Sequence, residues 1–243
     1  MTGPTPAGTN DSRAAGIGLV CIGECMVELA RTTTGLFQLS YGGDTFNTAV
    51  YARRAGLPAV AYMTAVGDDA YSDGIMELAT AEGIQTTLTA RATGKRPGLY
   101  LIETDAGERT FTYWRDTAPA RRMFDVLDGA HVRQSLANTQ FIYISGITLS
   151  VLEPDQRDLL ASHLAEAKLA GARVVMDANY RPAGWPKGRD DARDVMSRFW
   201  RLTDIAMPSL DDEVALWGAS DADAICERLH AFGCQHVVAK DGG

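Results

Sequence analysis

Val174-Val175-Met176-Asp177-Ala178-Asn179-Tyr180-Arg181-Pro182 reads as a buried strand that runs out into polar residues and is stopped by a proline. Just upstream, Glu153 and Pro154 open a helix that carries Leu160, Leu164 and Ala167 at helical spacing until Gly171 ends it. A helix followed by a short, continuous apolar strand is the repeating unit of a parallel sheet covered by helices. The unit recurs in both directions along the chain. Apolar runs at 19–22, 59–66, 141–144, 205–207 and 236–239 read as further strands, with a helix that begins after Asp44 and runs to Arg54, closed by Gly56, and others over 72–82, 190–202 and 222–232. The expectation is one α/β domain over residues 16–243, preceded by a disordered tail at 1–15 rich in Thr, Gly, Pro and Ala.

One region departs from the alternation. Residues 98–103 and 109–115 are two strand-like runs joined by Thr104-Asp105-Ala106-Gly107-Glu108, and with 36–41 they predict a small, mostly antiparallel sheet projecting from the main one. The lid strands are expected within about 32–42 and 94–116.

Composition removes several classes of function. At 243 residues, 46% hydrophobic and 22% charged, the chain can bury a sizeable core. Its net charge of −8 has the wrong sign for a surface that neutralises phosphates, so no nucleic-acid partner is expected. Four cysteines are too few for a disulfide scaffold, and all four read as reduced, with no zinc site. No segment approaches the roughly 18 apolar residues of a membrane span, and the run before Gly23 lacks a cleavage motif. A cytoplasmic protein without a membrane partner is the expectation.

Four places carry residues fit for chemistry. Tyr41-Gly42-Gly43-Asp44-Thr45-Phe46-Asn47 sets two glycines and a helix-capping Asp between strand and helix, where free N–H groups can hold hydroxyls or anionic oxygens. It fits neither a Walker A loop nor a dinucleotide fingerprint, and a Gly-Gly turn serves structure as readily as a ligand. Tyr113 and Arg115 share one face of a lid strand, with Tyr100 on the other; Arg115 reads either as a carboxylate binder or as a solvated cation beside packed aromatics. Asp177, Asn179 and Arg181 stand past a strand's carboxyl end, where open α/β sheets bind ligands, although Asp177 also suits a turn. Pro208-Ser209-Leu210-Asp211-Asp212-Glu213 opens a helix with a cap and three acids, which reads as dipole complementation or as a carboxylate near a hydrated magnesium ion.

In this order the pieces resemble the ribokinase-like carbohydrate kinases. The resemblance rests on Gly42-Gly43 with Asn47, Ala65-Val66-Gly67-Asp68-Asp69, Asp177-Ala178-Asn179-Tyr180-Arg181 and the acidic helix start after Pro208, and it spans about 17 to 243. Within the family the chain is most similar to the branch that phosphorylates 2-keto-3-deoxygluconate, through Ile22-Gly23-Glu24-Cys25-Met26-Val27-Glu28-Leu29, Pro97-Gly98-Leu99-Tyr100, Gly107-Glu108-Arg109-Thr110-Phe111 with Tyr113-Trp114-Arg115, and Ala215-Leu216-Trp217-Gly218. It implies a three-layer, Rossmann-like fold with a mainly parallel sheet, helices on both faces and a β-sheet lid.

The resemblance further implies ATP-dependent phosphorylation of a sugar acid with Mg2+, with a neutral-sugar kinase such as a fructokinase as the alternative. Gly42, Gly43 and Asn47 would hold sugar oxygens, and Tyr100, Tyr113, Arg115 and Arg181 the keto-acid end. Asn179, Arg181, Ser209, Lys240 and Gly242 would face the nucleotide, Arg181 would support catalysis, and Asp212 would act indirectly on the metal. Ser209 stands where the family has Asn. A homo-oligomer through the lid is also expected.

The family's catalytic base sits in a Gly-Ala-Gly-Asp-type segment, and no such segment precedes the terminal Lys240-Asp241-Gly242-Gly243. The expectation is the N-terminal part of a kinase that stops before the catalytic acid, and a 243-residue polypeptide inactive by itself. A natural truncation that binds sugar without turning it over is the reading from a different class.

Overall fold

The computed structural model describes residues 16–105, 108–218 and 221–241. The expected tail at 1–15 lies outside the described residues, as do Gly242 and the tip of the turn at 106–107. In chain order the strands are β1 (Ile17–Ile22), β2 (Met26–Arg31), β3 (Phe37–Gly42), β4 (Val60–Val66), β5 (Thr89–Arg91), β6 (Leu99–Asp105), β7 (Glu108–Trp114), β8 (Thr139–Ser145), β9 (Arg173–Asp177), β10 (Ile205–Met207) and β11 (His236–Val237). The helices are α1 (Asp44–Arg54), α2 (Ala70–Ala81), α3 (Gly129–Ala137), α4 (Gly146–Val151), α5 (Pro154–Leu169), α6 (Arg189–Trp200), α7 (Leu210–Trp217) and α8 (Ala222–Ala231).

Seven strands form one sheet in the order β11-β10-β9-β8-β1-β4-β5, and every pairing within it is parallel. Because side chains alternate across a strand, each central strand feeds two cores. Val20 and Ile22 of β1, Ala61 and Met63 of β4, and Ile142 and Ile144 of β8 join one apolar cluster with residues of α3, α5, α6, α7 and α8. Cys21, Val60, Tyr62 and Tyr143 point the other way, into a second cluster with Phe46, Ala49 and Val50 of α1 and Ile75 and Ala79 of α2. These are the three layers of the ribokinase-like fold, and they explain why the strands read as unbroken apolar runs.

The lid is a four-stranded sheet in the order β3-β2-β6-β7. β2 pairs antiparallel with β3, β6 antiparallel with β7, and β2 parallel with β6. β2 lies outside the 32–42 segment expected to begin the lid, and it is the strand that joins the two hairpin-like halves. Its apolar residues continue those of β1 with only Gly23 and Glu24 between, which hid the break in sequence. Other boundaries move little: α2 starts at Ala70, capped by Asp69, and β11 pairs only over His236–Val237, with Lys240 meeting Ser209 in an isolated bridge.

All four cysteines are free, three of them buried. Among the described residues no helix is long and apolar enough to cross a membrane.

Candidate active site

β4 and β8 flank β1 on opposite sides, so the chain reverses its direction of travel across the sheet there. A crevice opens past the carboxyl ends of strands at such a point, and it is the ordinary ligand position of open α/β sheets. Gly23 and Glu24 follow β1, Ser145 ends β8, Asp177 ends β9, and Ser209 and Lys240 lie just past β10 and β11.

Asp44 ties these ends together. Sequence reading makes it the cap of α1, but Gly43 occupies the N-cap and Asp44 is the first helical residue. Its carboxylate accepts hydrogen bonds from the Ser145 hydroxyl and, at 3.0 Å, from the Asn179 amide. Donors from β8 and the loop after β9 therefore claim the side chain that local geometry would have turned back on its own helix. Burial pushes the Asp44 carboxyl upward, with the bonds from Ser145, Thr45 and Asn179 opposing. Asn179 itself has φ of 35°, and its backbone N–H donates to Asp177 Oδ1 at 3.1 Å. Left-handed backbone at a non-glycine residue is strained, and Asn tolerates it best.

On the lid side, Glu28 accepts from the Tyr100 hydroxyl and from Ser40 at 2.8 Å. Burial raises the Tyr100 phenol, and the adjacent Glu28 raises it further, so it acts as a neutral donor. A Cβ on Gly42 would lie 2.9 Å from that hydroxyl, so the Tyr100 phenol packs directly on the glycine. The Tyr100 and Tyr113 rings are 6.0 Å apart, and the Arg115 guanidinium lies 5.5 Å from the Tyr113 centroid. Arg115 is not the solvated cation that was one alternative. Its side chain is only 19% exposed and donates to Glu24, whose own side chain is 2% exposed.

The nucleotide-side candidates also converge. Lys240 Nζ reaches Asp177 at 2.5 Å, and Arg181 reaches Asp212 at 3.3 Å. Ser209 Oγ accepts from the Asp212 N–H at 3.3 Å as the cap of α7. Arg181 and Lys240 are both partly exposed and supply donors at this edge that a phosphate could use, each of them already paired with a carboxylate. Asp212 suits a metal less well, because Arg181 already holds its carboxylate, and the described residues contain no group of three metal-ligating side chains.

Between the lid and the loop after β9 lies a cleft of about 790 Å³, lined by Tyr113, Arg115, Arg121, Arg157, Arg181 and Lys187 among others. Gly42, Gly43, Asn47 and Tyr100 are not part of that lining, so the expected sugar site falls into two neighbouring parts. Asn47 is exposed on α1, its Oδ1 3.7 Å from the position of a Cβ on Gly42. Glu24 and Asp44 escaped the sequence reading as site residues. The signal for Glu24 was a lone carboxylate inside an apolar run, which needs a cation if it is buried.

Residues 17–243 match the pfkB family carbohydrate kinases. The chain belongs to this family. The 2-dehydro-3-deoxygluconokinase of Dickeya dadantii (strain 3937) is 42% identical to this pfkB chain over 228 residues, covering 92% of it and 73% of the relative. The 2-dehydro-3-deoxygluconokinase of Escherichia coli (strain K12) is 40% identical with the same coverage. Among solved structures, a fructokinase from Xylella fastidiosa with bound ATP superposes with a TM-score of 0.79 at 23% identity, over 93% of this chain and 68% of that one. That likeness shows the same fold over 93% of this chain.

Proposed function

We propose that this pfkB chain serves ATP-dependent phosphorylation of 2-keto-3-deoxygluconate at its 6-hydroxyl, in the cytoplasm. The observation that carries the reading is Arg115, a cation at the base of the lid that lines the cleft together with Arg181. A sugar acid needs such a cation, and a neutral sugar does not. The relatives at 40% and 42% identity support the same substrate. Gly42, Gly43 and Asn47 would take sugar hydroxyls, while Tyr113 in the cleft and Tyr100 beside it would face the keto-acid end. Asn179, Arg181, Ser209 and Lys240 would face the ATP phosphates, with Arg181 also supporting transfer. Bound Mg2+ would neutralise phosphate charge, with Asp212 acting on it only indirectly.

The test is calorimetric titration of the purified chain with 2-keto-3-deoxygluconate and with fructose, before and after Arg115→Ala. The acid is expected to bind more tightly than fructose, and the substitution to weaken the acid by about tenfold to a hundredfold while barely touching fructose. Tighter binding of fructose would overturn the reading in favour of a neutral-sugar kinase. Leu36, Phe37, Leu39, Phe111 and Trp114 leave apolar surface exposed on the lid, which supports a homo-oligomer through it. A monomer in sedimentation equilibrium at micromolar concentration would count against that.

A further inference from the structure

Glu24 sits in the turn between β1 and β2, where the chain first crosses from the large sheet into the lid. Its partner Arg115 follows β7, where the chain crosses back. Two glycines at the other crossings leave room for it. A Cβ on Gly98 would come within 2.6 Å of Glu24 Oε1, and one on Gly43 within 2.1 Å of the Glu24 carbonyl oxygen. Gly98 thus leaves space for the Glu24 carboxylate, and Gly43 for the Glu24 backbone.

The pair is also poorly arranged for stability. Glu24 Oε1 and Arg115 Nε are both buried without a partner among the described residues. Desolvating two charges and leaving atoms of each unsatisfied is weak grounds for stability, and apolar residues of similar volume generally serve a core at least as well. Burial drives the Glu24 carboxyl upward and Arg115 opposes it. What the pair does accomplish is to hold a long, flexible cation in one place. Arg115 gives Nη2 to Glu24, stays 19% exposed and lines the cleft.

We propose that Glu24 is a positioning residue: by holding Nη2 of Arg115 at the lid junction it aims the rest of the guanidinium into the cleft, and so sets the preference for anionic over neutral sugars. This rests on the sugar-acid reading above. A cation oriented before the ligand arrives loses less conformational freedom on binding, and that advantage applies only to a ligand that uses the cation.

The test is a double-mutant cycle read by calorimetry on the full chain, with E24Q, R115M and E24Q/R115M titrated with 2-keto-3-deoxygluconate and with fructose. E24Q is expected to weaken the acid by about tenfold and leave fructose within about twofold, and the double variant to bind the acid no more weakly than R115M alone. Because E24Q strands a buried charge, E24D is measured beside it, retaining the charge on a shorter arm, with an expected loss of about threefold to tenfold for the acid only. Unchanged affinity of E24Q for the acid, or losses that multiply in the double variant, would overturn the proposal. A parent chain that binds no acid defeats the sugar-acid reading and this inference with it, whereas a parent that binds the acid beside an unaffected E24Q defeats this inference alone.

Discussion

The side-chain amide of Asn179 donates to the Asp44 carboxylate at 3.0 Å, joining the loop after β9 to the first turn of α1 across 135 positions of sequence. Asn179 makes this bond from a left-handed backbone, φ 35°. Two costs can therefore be separated by substitution. Asn179→Gly keeps the backbone and loses the amide; Asn179→Ala loses the amide and must also adopt left-handed φ. The Ala variant is expected to be less stable than the Gly variant by about 1 kcal/mol, with the Gly variant about 1 kcal/mol below the parent. Chemical denaturation gives both numbers, and Ala at or above Gly would show that the bend at 179 carries no strain.

The second prediction concerns pH. Burial raises the Asp44 carboxyl above its ordinary value of 3.8, so the folded state holds this proton more tightly than the unfolded chain does. Stability from this group is therefore full below the unfolded value and declines as the pH rises through the folded one. Asp44→Asn mimics the protonated form at every pH. The melting temperature of the variant, minus that of the parent, is expected to increase between about pH 4 and pH 7. A flat difference across that range would show that Asp44 titrates as an ordinary carboxylate.

Gly43 illustrates a close approach, since its backbone is extended and unstrained, with φ of 170°. A methyl group there would lie 2.1 Å from the Glu24 carbonyl oxygen, and backbone must move on one side or the other. Gly43→Ala is expected to cost about 2–3 kcal/mol in urea denaturation. A loss below about 0.5 kcal/mol, typical of neutral surface sites, would mean that the lid junction yields freely.

The central strands of the large sheet were legible because burial on both faces gives each a continuous apolar run, whereas the edge strand β5, Thr89-Ala90-Arg91, was not, being short, largely polar and only partly buried. Helix ends such as Glu153-Pro154, Gly171 and Gly56 were legible from local capping chemistry. β2 was not, because its apolar residues merge with those of β1 and only pairing with β3 and β6 separates them. Asp44 illustrates the limit at a single residue: its position after two glycines suggests a cap, and donors from the end of β8 and the loop after β9 also claim the carboxylate.

The sequence by itself determined the layered α/β fold, the presence of a lid and the residues gathered past the carboxyl ends of the strands, because periodicity and turn chemistry act over a few neighbouring positions. Which charges meet was decided only by the tertiary structure. Glu24 with Arg115, Asp177 with Lys240 and Asp212 with Arg181 are pairs separated by 91, 63 and 31 positions. Their partners come from different strand ends, and a carboxylate's choice among cations depends on which of them the sheet order brings within reach.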